Sequence, residues 1–586
     1  MIRQNITRLY LNMQPGFLFS QRTTLYFYAQ KTCHCGAATT IRKTCRKTIA
    51  TEDIGEFTAV EVQTGCRHCN AVFRSEELRS LTPHRGKYGF DVIEYIGKAL
   101  FVHCRNERDI QADLATRKIP ISVSEIAFLG KRFIVYLALA HRESQEELKR
   151  YMVSNGGYIL HMDGTCEGGS PHLFSCIDEI SNIVLGNRKM PTEDSQHIIP
   201  LLKSLKAAYG DPVALVHDMG SAILKAVAVV FPGVADYICH FHFLRDLGKD
   251  LFDFEYRTIQ RYTRSHQIGK ALKNALKALK ATIDDSEGLS SSLESYLKNE
   301  ATTKDEENLP PQIMAYLLVA WVLEYNCVSN GMGFPFDRPH LEFYLRMKAA
   351  YPVLKRLKEK GVSILPIAKL NKIITDSSLN NLASRMQEKI AVFDELRKAM
   401  RIASPDSHSG LNDEGDDDIK TIEDRVKQFR RSAKIEKLAG SDVSYQKMVK
   451  QIDKYWDKLF ADPIQVDTPI GKITLQPQRT NNLMEQSFRF LKRDGRRKSG
   501  QHSLNRTLTG MLAETPLVKN LEHPEYVEIL LKGKSSLAAR FSDIDILLVR
   551  QEEKVNAERW RKYPKRMSRL FKIPCLPQKM AKLASI

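Results

Sequence analysis

The sequence predicts an α/β protein: a mixed β-sheet, interrupted by a large all-α stretch and preceded by a small cysteine-bearing module. Three observations predict it. Residues 158–250 carry apolar patterns in a β-β-β-α-β-α-β-α order. Residues 251–470 read as mostly helical. Near the N-terminus, Cys33-His34-Cys35-Gly36 and Cys66-Arg67-His68-Cys69 bracket a β-branched alternating run at 57–62.

In order, the two cysteine knuckles with strand between them suggest a zinc-ribbon-like segment over residues 1–80, with thiolates in tetrahedral ligation. Cys33 and Cys35 are one residue apart, so His34, Cys45 or His68 could replace a thiolate among Cys33, Cys35, Cys66 and Cys69. Residues 81–153 are helical, with spans at 122–140 and 143–152 broken at His141-Arg142; a helix-turn-helix and a plain connector are both open. Strands follow at 158–162, 172–177 and 182–186. A helix at 192–209 carries Ile198, Leu201, Leu202 and Leu205 on one face, and Pro200 would kink it or delay its start. A strand at 213–217, a helix capped by Ser221, a strand at 236–239 and a helix at 241–251 complete the pattern. A meander followed by alternating elements implies a mixed sheet covered by helices. Lys270, Lys273, Lys277 and Lys280 share one helix face, either solvated or on phosphates. Residues 404–418 are polar and acidic, as in a linker.

The chain has 586 residues, more than one core accommodates, so roughly two to four domains are expected. Lys and Arg number 88 against 69 Asp and Glu, a net +19 that favours a polyanionic partner. The first twenty residues lack the apolar core of a secretory signal. The longest apolar run, 313–323, falls short of the about 20 residues of a membrane span. Eleven scattered cysteines fit metal-binding thiols in a reducing cytoplasm better than disulfides.

Three acidic residues sit where a catalytic metal could be held. Asp163 ends the strand at 158–162, Asp218 ends the strand at 213–217, and Glu485 lies near the start of an amphipathic helix. Hard divalent cations take oxygen ligands, and paired ions serve in-line phosphoryl transfer. Structural readings exist for each: a turn at Asp163-Gly164, a helix N-terminus at Asp218, a capping box from Asn482 to Glu485 or a pair with Arg489. Together, in this strand order, they point to function. Glu485, Arg489, Lys492 and Arg496 share a helical stripe, and Arg493, Arg497 and Lys498 extend the basic run, a surface on which a phosphodiester strand could lie.

These features resemble the DDE transposases of insertion sequences, which use an RNase H-like domain. The resemblance runs from the cysteine knuckles to about residue 510 and rests on Asp163-Gly164-Thr165, His217-Asp218, Asn481-Asn482-Leu483-Met484-Glu485 with its basic run, and Cys239-His240-Phe241-His242. It implies an RNase H-like core in two parts, 154–250 and 471–515, split by a helical insertion at 251–470 and followed by a basic C-terminal region at 516–586. It implies Asp163, Asp218 and Glu485 as ligands of two Mg2+ or Mn2+ ions, with Cys239 and His242 bracing the sheet. The expected activity is DNA cleavage at element ends: water attacks first, and the freed 3′-hydroxyl then attacks target DNA. Double-stranded DNA is the expected partner, homo-oligomeric assembly and a DNA-associated cytoplasmic location follow by analogy, and no membrane is involved. A catalytically silent, transposase-derived DNA-binding protein and an RNase H-like nuclease are the competing readings.

Overall fold

A computed structural model of the chain describes residues 23–298, 309–403 and 418–561, with Met580. It is mixed α/β, with two mixed or antiparallel sheets, a separate two-stranded hairpin and many helices. Of the sequence features above, residues 404–417 of the linker and residues 562–579 and 581–586 of the C-terminal region lie outside the described residues. Asp418 is described and caps a helix, accepting a hydrogen bond from the Thr421 amide. Contacts divide the chain into two units, residues 1–235, 465–475 and 481–586 in one, and 236–464 with 476–480 in the other.

The first unit begins with β1 (Thr24–Tyr28), β2 (Thr40–Thr51), β3 (Gly55–Gly65) and β4 (Val72–Phe73). β3 is central, parallel to β1 and antiparallel to β2 and β4. The core of this module is small: Phe27, Ile49, Phe57, Ala59 and Leu78. Helices α1 (Glu76–Leu81), α2 (Phe90–Phe101), α3 (Glu107–Thr116), α4 (Val123–Glu143) and α5 (Gln145–Ser154) follow. α2 and α4 approach so closely at Gly97 that a methyl group there would lie 2.0 Å from the Phe133 ring. The break between α4 and α5 is Ser144, two residues later than the sequence suggests. One residue is too short for the three- to four-residue turn of a helix-turn-helix. α4 is also buried without interruption from Phe133 to His141, so the pair serves as scaffold.

The main sheet has β5 (Ile159–Thr165), β6 (His172–Asp178), β7 (Val184–Met190), β8 (Ala214–His217) and β9 (Ala235–Ile238), in the order β7-β6-β5-β8-β9. β5 pairs antiparallel with β6 and parallel with β8. β5 from Ile159 to Asp163 and all of β8 are buried, as a sheet covered on both faces requires. α6 (Ser195–Tyr209) starts later than the residue 192 expected from the sequence, capped by Asp194, and keeps Pro200 inside. α7 spans Ser221–Val230; Gly220 holds the cap position, so Ser221 is its first residue and not its cap.

The second unit is helical: α8 (His240–Ser265), α9 (Ile268–Asp284), α10 (Glu287–Leu297), α11 (Pro311–Leu323), α12 (Pro339–Glu359), α13 (Ile367–Ile374), α14 (Ser377–Met400), α15 (Ile419–Arg430), α16 (Ala433–Ser441) and α17 (Val443–Leu459). α8 runs well past residue 251, with non-helical backbone at Phe252 marking a kink. α9 buries Leu272, Ala275 and Leu279 and leaves its four lysines exposed. A buried ion pair, Lys389 with Glu255 at 2.8 Å, ties α14 to α8. No helix among the described residues is long and apolar enough to cross a membrane.

The chain returns through a hairpin absent from the sequence reading, β10 (Ile464–Thr468) and β11 (Gly471–Leu475). Then come α18 (Asn482–Ser499), α19 (Leu504–Gly510), α20 (Pro524–Leu531), α21 (Leu537–Ser542) and α22 (Ile546–Arg561). The region after 516 is more than a basic extension: Tyr526, Phe541 and Val549 are buried in the same core as α2, α4 and the sheet. Arg132 holds α22 through both oxygens of Glu553, at 2.7 and 3.1 Å.

Candidate functional site

The acidic site forms where the pairing of β5 with β8 ends; β5 itself runs on to Thr165, so Asp163 lies inside the strand and not at its end as the sequence suggests. Met162 and His217 are paired across these parallel strands, so Asp163 and Asp218 are the next residues on neighbouring strands. Each is steadied by the chain just beyond it: Asp163 Oδ1 accepts from the Gly164 amide at 2.7 Å, and Asp218 Oδ1 from the Gly220 amide at 3.0 Å. Asp163 is buried. Its pKa stands well above the usual carboxylate range, first because of burial and then because of the negative charge of Asp218; Glu193 and Glu485 add to the rise.

Glu485 reaches this field because α18 is tethered to β5 at its start. Asn481, the residue before the helix, donates to the Met162 carbonyl at 3.0 Å and meets His161 Nδ1 at 2.9 Å. His161 is fully buried and pairs on its other side with Glu179 at 2.8 Å. These contacts use the two residues before Asp163, so one polar cluster sets the helix beside the strand end. Leu483 and Met484 are buried, and burying Met484 contributes roughly 1.5–3 kcal/mol. No side-chain cap forms at α18, so the capping-box reading of Asn482 and Glu485 fails; Asn481 spends its amide on β5 instead. The Glu485–Arg489 pair does form, at 3.9 Å, between partly exposed groups that contribute little.

A fourth carboxylate belongs to this cluster and was missed in the sequence. Glu193 lies between β7 and α6, and a methyl group on Gly164 would meet its Oε2 at 2.1 Å. One on Gly220 would meet its Oε1 at 3.6 Å. Burial, then the charge of Asp218, pushes the Glu193 carboxyl up to about 7. Met190-Pro191-Thr192-Glu193 carries the same signal as the other two, an acid just past a strand, but no apolar periodicity marks it. By contrast Asp178, also on the sheet, is consumed by the amides of Ile159, Ile180 and Ser181 at 3.0–3.1 Å and the Ser181 hydroxyl, and is structural.

The cysteines form the tightest cluster of metal-ligating atoms. Cys33, Cys35, Cys66 and Cys69 place their sulfurs within 4.8 Å of one another, a set positioned to bind a metal ion and consistent with zinc. Among the described residues it is the one such group; the carboxylates share a field without gathering to that separation. Two turns build it, with Gly36 and Asn70 in left-handed backbone just after Cys35 and Cys69. The amides of Cys69 and His68 draw the Cys66 thiol down to about 6, alongside opposing burial. The Cys35 amide acts the same way on Cys33, but burial and the neighbouring thiols outweigh it and push Cys33 up to about 12. Crowded thiols sharing protons are what a cation would replace. His34 lies edge-on to Phe73, and Cys45 sits on β2 against Gln63, so neither joins the set.

On α18, Arg489, Lys492, Arg493, Arg496 and Arg497 are exposed. Lys498 is instead held by Glu107 at 2.8 Å, and Arg493 lies over the Phe490 ring at 4.4 Å. Cys239 and His242 are buried at the start of α8, within the second unit. Neither protein-family models nor curated protein sequences give a match for this chain.

Proposed function

We propose that the chain is a DDE-class DNA transposase with an RNase H-like core, cleaving DNA at element ends and joining them to target DNA. One observation carries the reading. Asp163 lies within β5 and Asp218 just past β8, each one residue beyond the last pairing of these adjacent parallel strands, and Glu485 enters the same field from a helix pinned to β5. The donor set is all carboxylate oxygen, and burial first and then mutual repulsion raise Asp163, so the residues suit a hard divalent cation. Asp163, Asp218 and Glu485 would hold Mg2+ or Mn2+, with Glu193 beside them. When bound, such ions supply activation of the attacking oxygen and charge neutralisation of the leaving one.

The chain's own residues do the rest. Hydrolysis breaks one P–O bond and leaves a 3′-hydroxyl; its attack on a target phosphorus forms a new P–O bond as a target oxygen leaves. Arg489, Lys492 and Arg496 follow Glu485 at helical spacing and are exposed, so they would hold the phosphodiester along the carboxylate face. Exposed Arg42, Lys43 and Arg46 on β2 offer a second basic surface, on the module whose four thiols would hold Zn2+.

The test is Mg2+- or Mn2+-dependent nicking of DNA carrying the flanking element ends, comparing wild type with Asp218→Asn. Metal-dependent cleavage at the ends by wild type alone supports the proposal. Binding without cleavage by either protein favours the silent DNA-binding protein, and cleavage without end preference favours the nuclease.

A further inference from the structure

A cavity of about 610 Å3 lies beside the helix that carries Glu485. Its walls come from α2, α4, α18, α19 and the turn at 515–522, all within one unit. The volume falls in the range of small-molecule sites. Apolar side chains, among them Phe101, Ile134 and Phe490, form much of the lining. Six lysine and arginine side chains line it against three carboxylates. Lys131, Arg506 and Lys519 make no ion pair among the described residues. Lys519 is half-buried and lies 4.9 Å from the centre of the Phe490 ring; burial lowers its pKa, and the Glu522 carboxylate opposes that shift. Lys519 is partly compensated by the charge of Glu522, but the lining as a whole carries more cations than carboxylates, an excess that favours an incoming negative group. Aromatic and apolar walls next to that cation suit a flat ring carried by the same ligand.

We infer that this cavity binds a nucleotide, its ring among the apolar walls and its phosphate at Lys519 and Arg506. The shared chemistry, an aromatic ring bearing a phosphate, could come from a free nucleotide or from a nucleotide unstacked from DNA lying on α18. Because Ser487, Phe490 and Leu491 line the cavity and Glu485 lies on the same helix, occupancy would bear on the placement of the carboxylate. Binding needs no cleavage, so the inference stands or falls apart from the proposed activity.

The experiment uses the full chain in buffer without added divalent cation. One arm titrates 2′-deoxyadenosine 5′-monophosphate by calorimetry. The other follows the fluorescence of a duplex carrying 2-aminopurine, which brightens on unstacking. Lys519→Glu and Arg506→Glu are compared with Lys270→Glu, an exposed charge in the other unit. Saturable nucleotide binding, weakened at least about tenfold by the first two and unchanged in the third, supports a free nucleotide. Brightening lost in the same two variants supports a nucleotide from the strand. No saturation together with no brightening overturns the inference, as does equal weakening in all three variants. Should Lys519→Glu melt early, Arg506→Glu, altered at an exposed side chain, carries the comparison.

Discussion

A methyl group at position 164 has no room. It would lie 2.1 Å from Glu193 Oε2, so Gly164→Ala must push that carboxylate away from Asp163 and Asp218. Glu193→Gln leaves the shape and removes the charge. If Glu193 supports the metal-binding carboxylates, both variants lower Mg2+-dependent nicking by about ten- to a hundredfold, the usual effect of losing a supporting group. Wild-type rates in both would remove Glu193 from the site. A second residue gives a pH signature. His141 is buried, with Nδ1 3.0 Å from the Tyr526 hydroxyl and Nε2 3.2 Å from the Leu185 carbonyl. Burial holds its pKa down at about 4, against about 6.5 unfolded. As pH falls, the unfolded chain takes up this proton first, so the histidine's contribution is complete above about 6.5 and is lost towards about 4. The wild type should therefore lose roughly 3 kcal/mol of stability relative to His141→Gln across that window, measured by denaturant unfolding. A gap that does not change with pH would mean that His141 is not held neutral. Neither Glu193 nor His141 announces itself in the sequence, because each acquires its role from burial against residues far along the chain.

At the scale of elements, the main strands were legible because a sheet covered on both faces needs continuous apolar runs, and 158–162 and 213–217 supply them. The hairpin β10–β11 was missed although it carries an alternating signal, with Ile464, Val466, Ile473 and Leu475 half-buried; its two strands are only five residues each and follow a long helical stretch. Helix starts moved for local reasons: Asp194 caps α6 and sets its start after the expected residue 192, and Gly220 displaces Ser221 from the cap of α7. The strand-end acids could be read, but what brings Glu485 to them could not. That is the Asn481 amide on the Met162 carbonyl, a contact between residues 319 positions apart. Two predictions belong here. Gly97→Ala forces α2 and α4 apart, because Phe133 is fully buried and cannot swing away; overpacking of this kind costs about 1–3 kcal/mol, read as a lower denaturation midpoint. An unchanged midpoint would show that the helices are not in close contact. Among the described residues, the buried cluster of the cysteine module is small, so a metal held by the thiols should help to hold β2 and β3. Wild type should carry one equivalent of zinc. Chelation, or Cys66→Ser, should expose β2–β3 amides to hydrogen exchange while β5 stays protected. Protection of β2–β3 that survives metal removal would make the thiol cluster dispensable for folding.

Across the whole molecule, charge is the property that composition reports most directly, and it is also the most open to measurement. A net +19 concentrated in helical stripes such as Arg489, Lys492 and Arg496 should make DNA binding a matter of counterion release. Each phosphate neutralised contributes about −0.9 to the slope of log affinity against log salt. Contact with about six phosphates would then weaken binding by about a thousandfold between 50 and 200 mM salt. Replacing Arg489, Lys492 and Arg496 with alanine should flatten the slope by roughly 2.7, whereas replacing Lys270, Lys273 and Lys277 on α9 should leave it nearly unchanged if that face is only solvated. The paired comparison matters more than the absolute slope, because both triplets remove the same formal charge. Equal flattening by the two would mean that DNA responds to the overall charge of the chain, and the stripe beside Glu485 would lose its claim to hold the strand at the carboxylates.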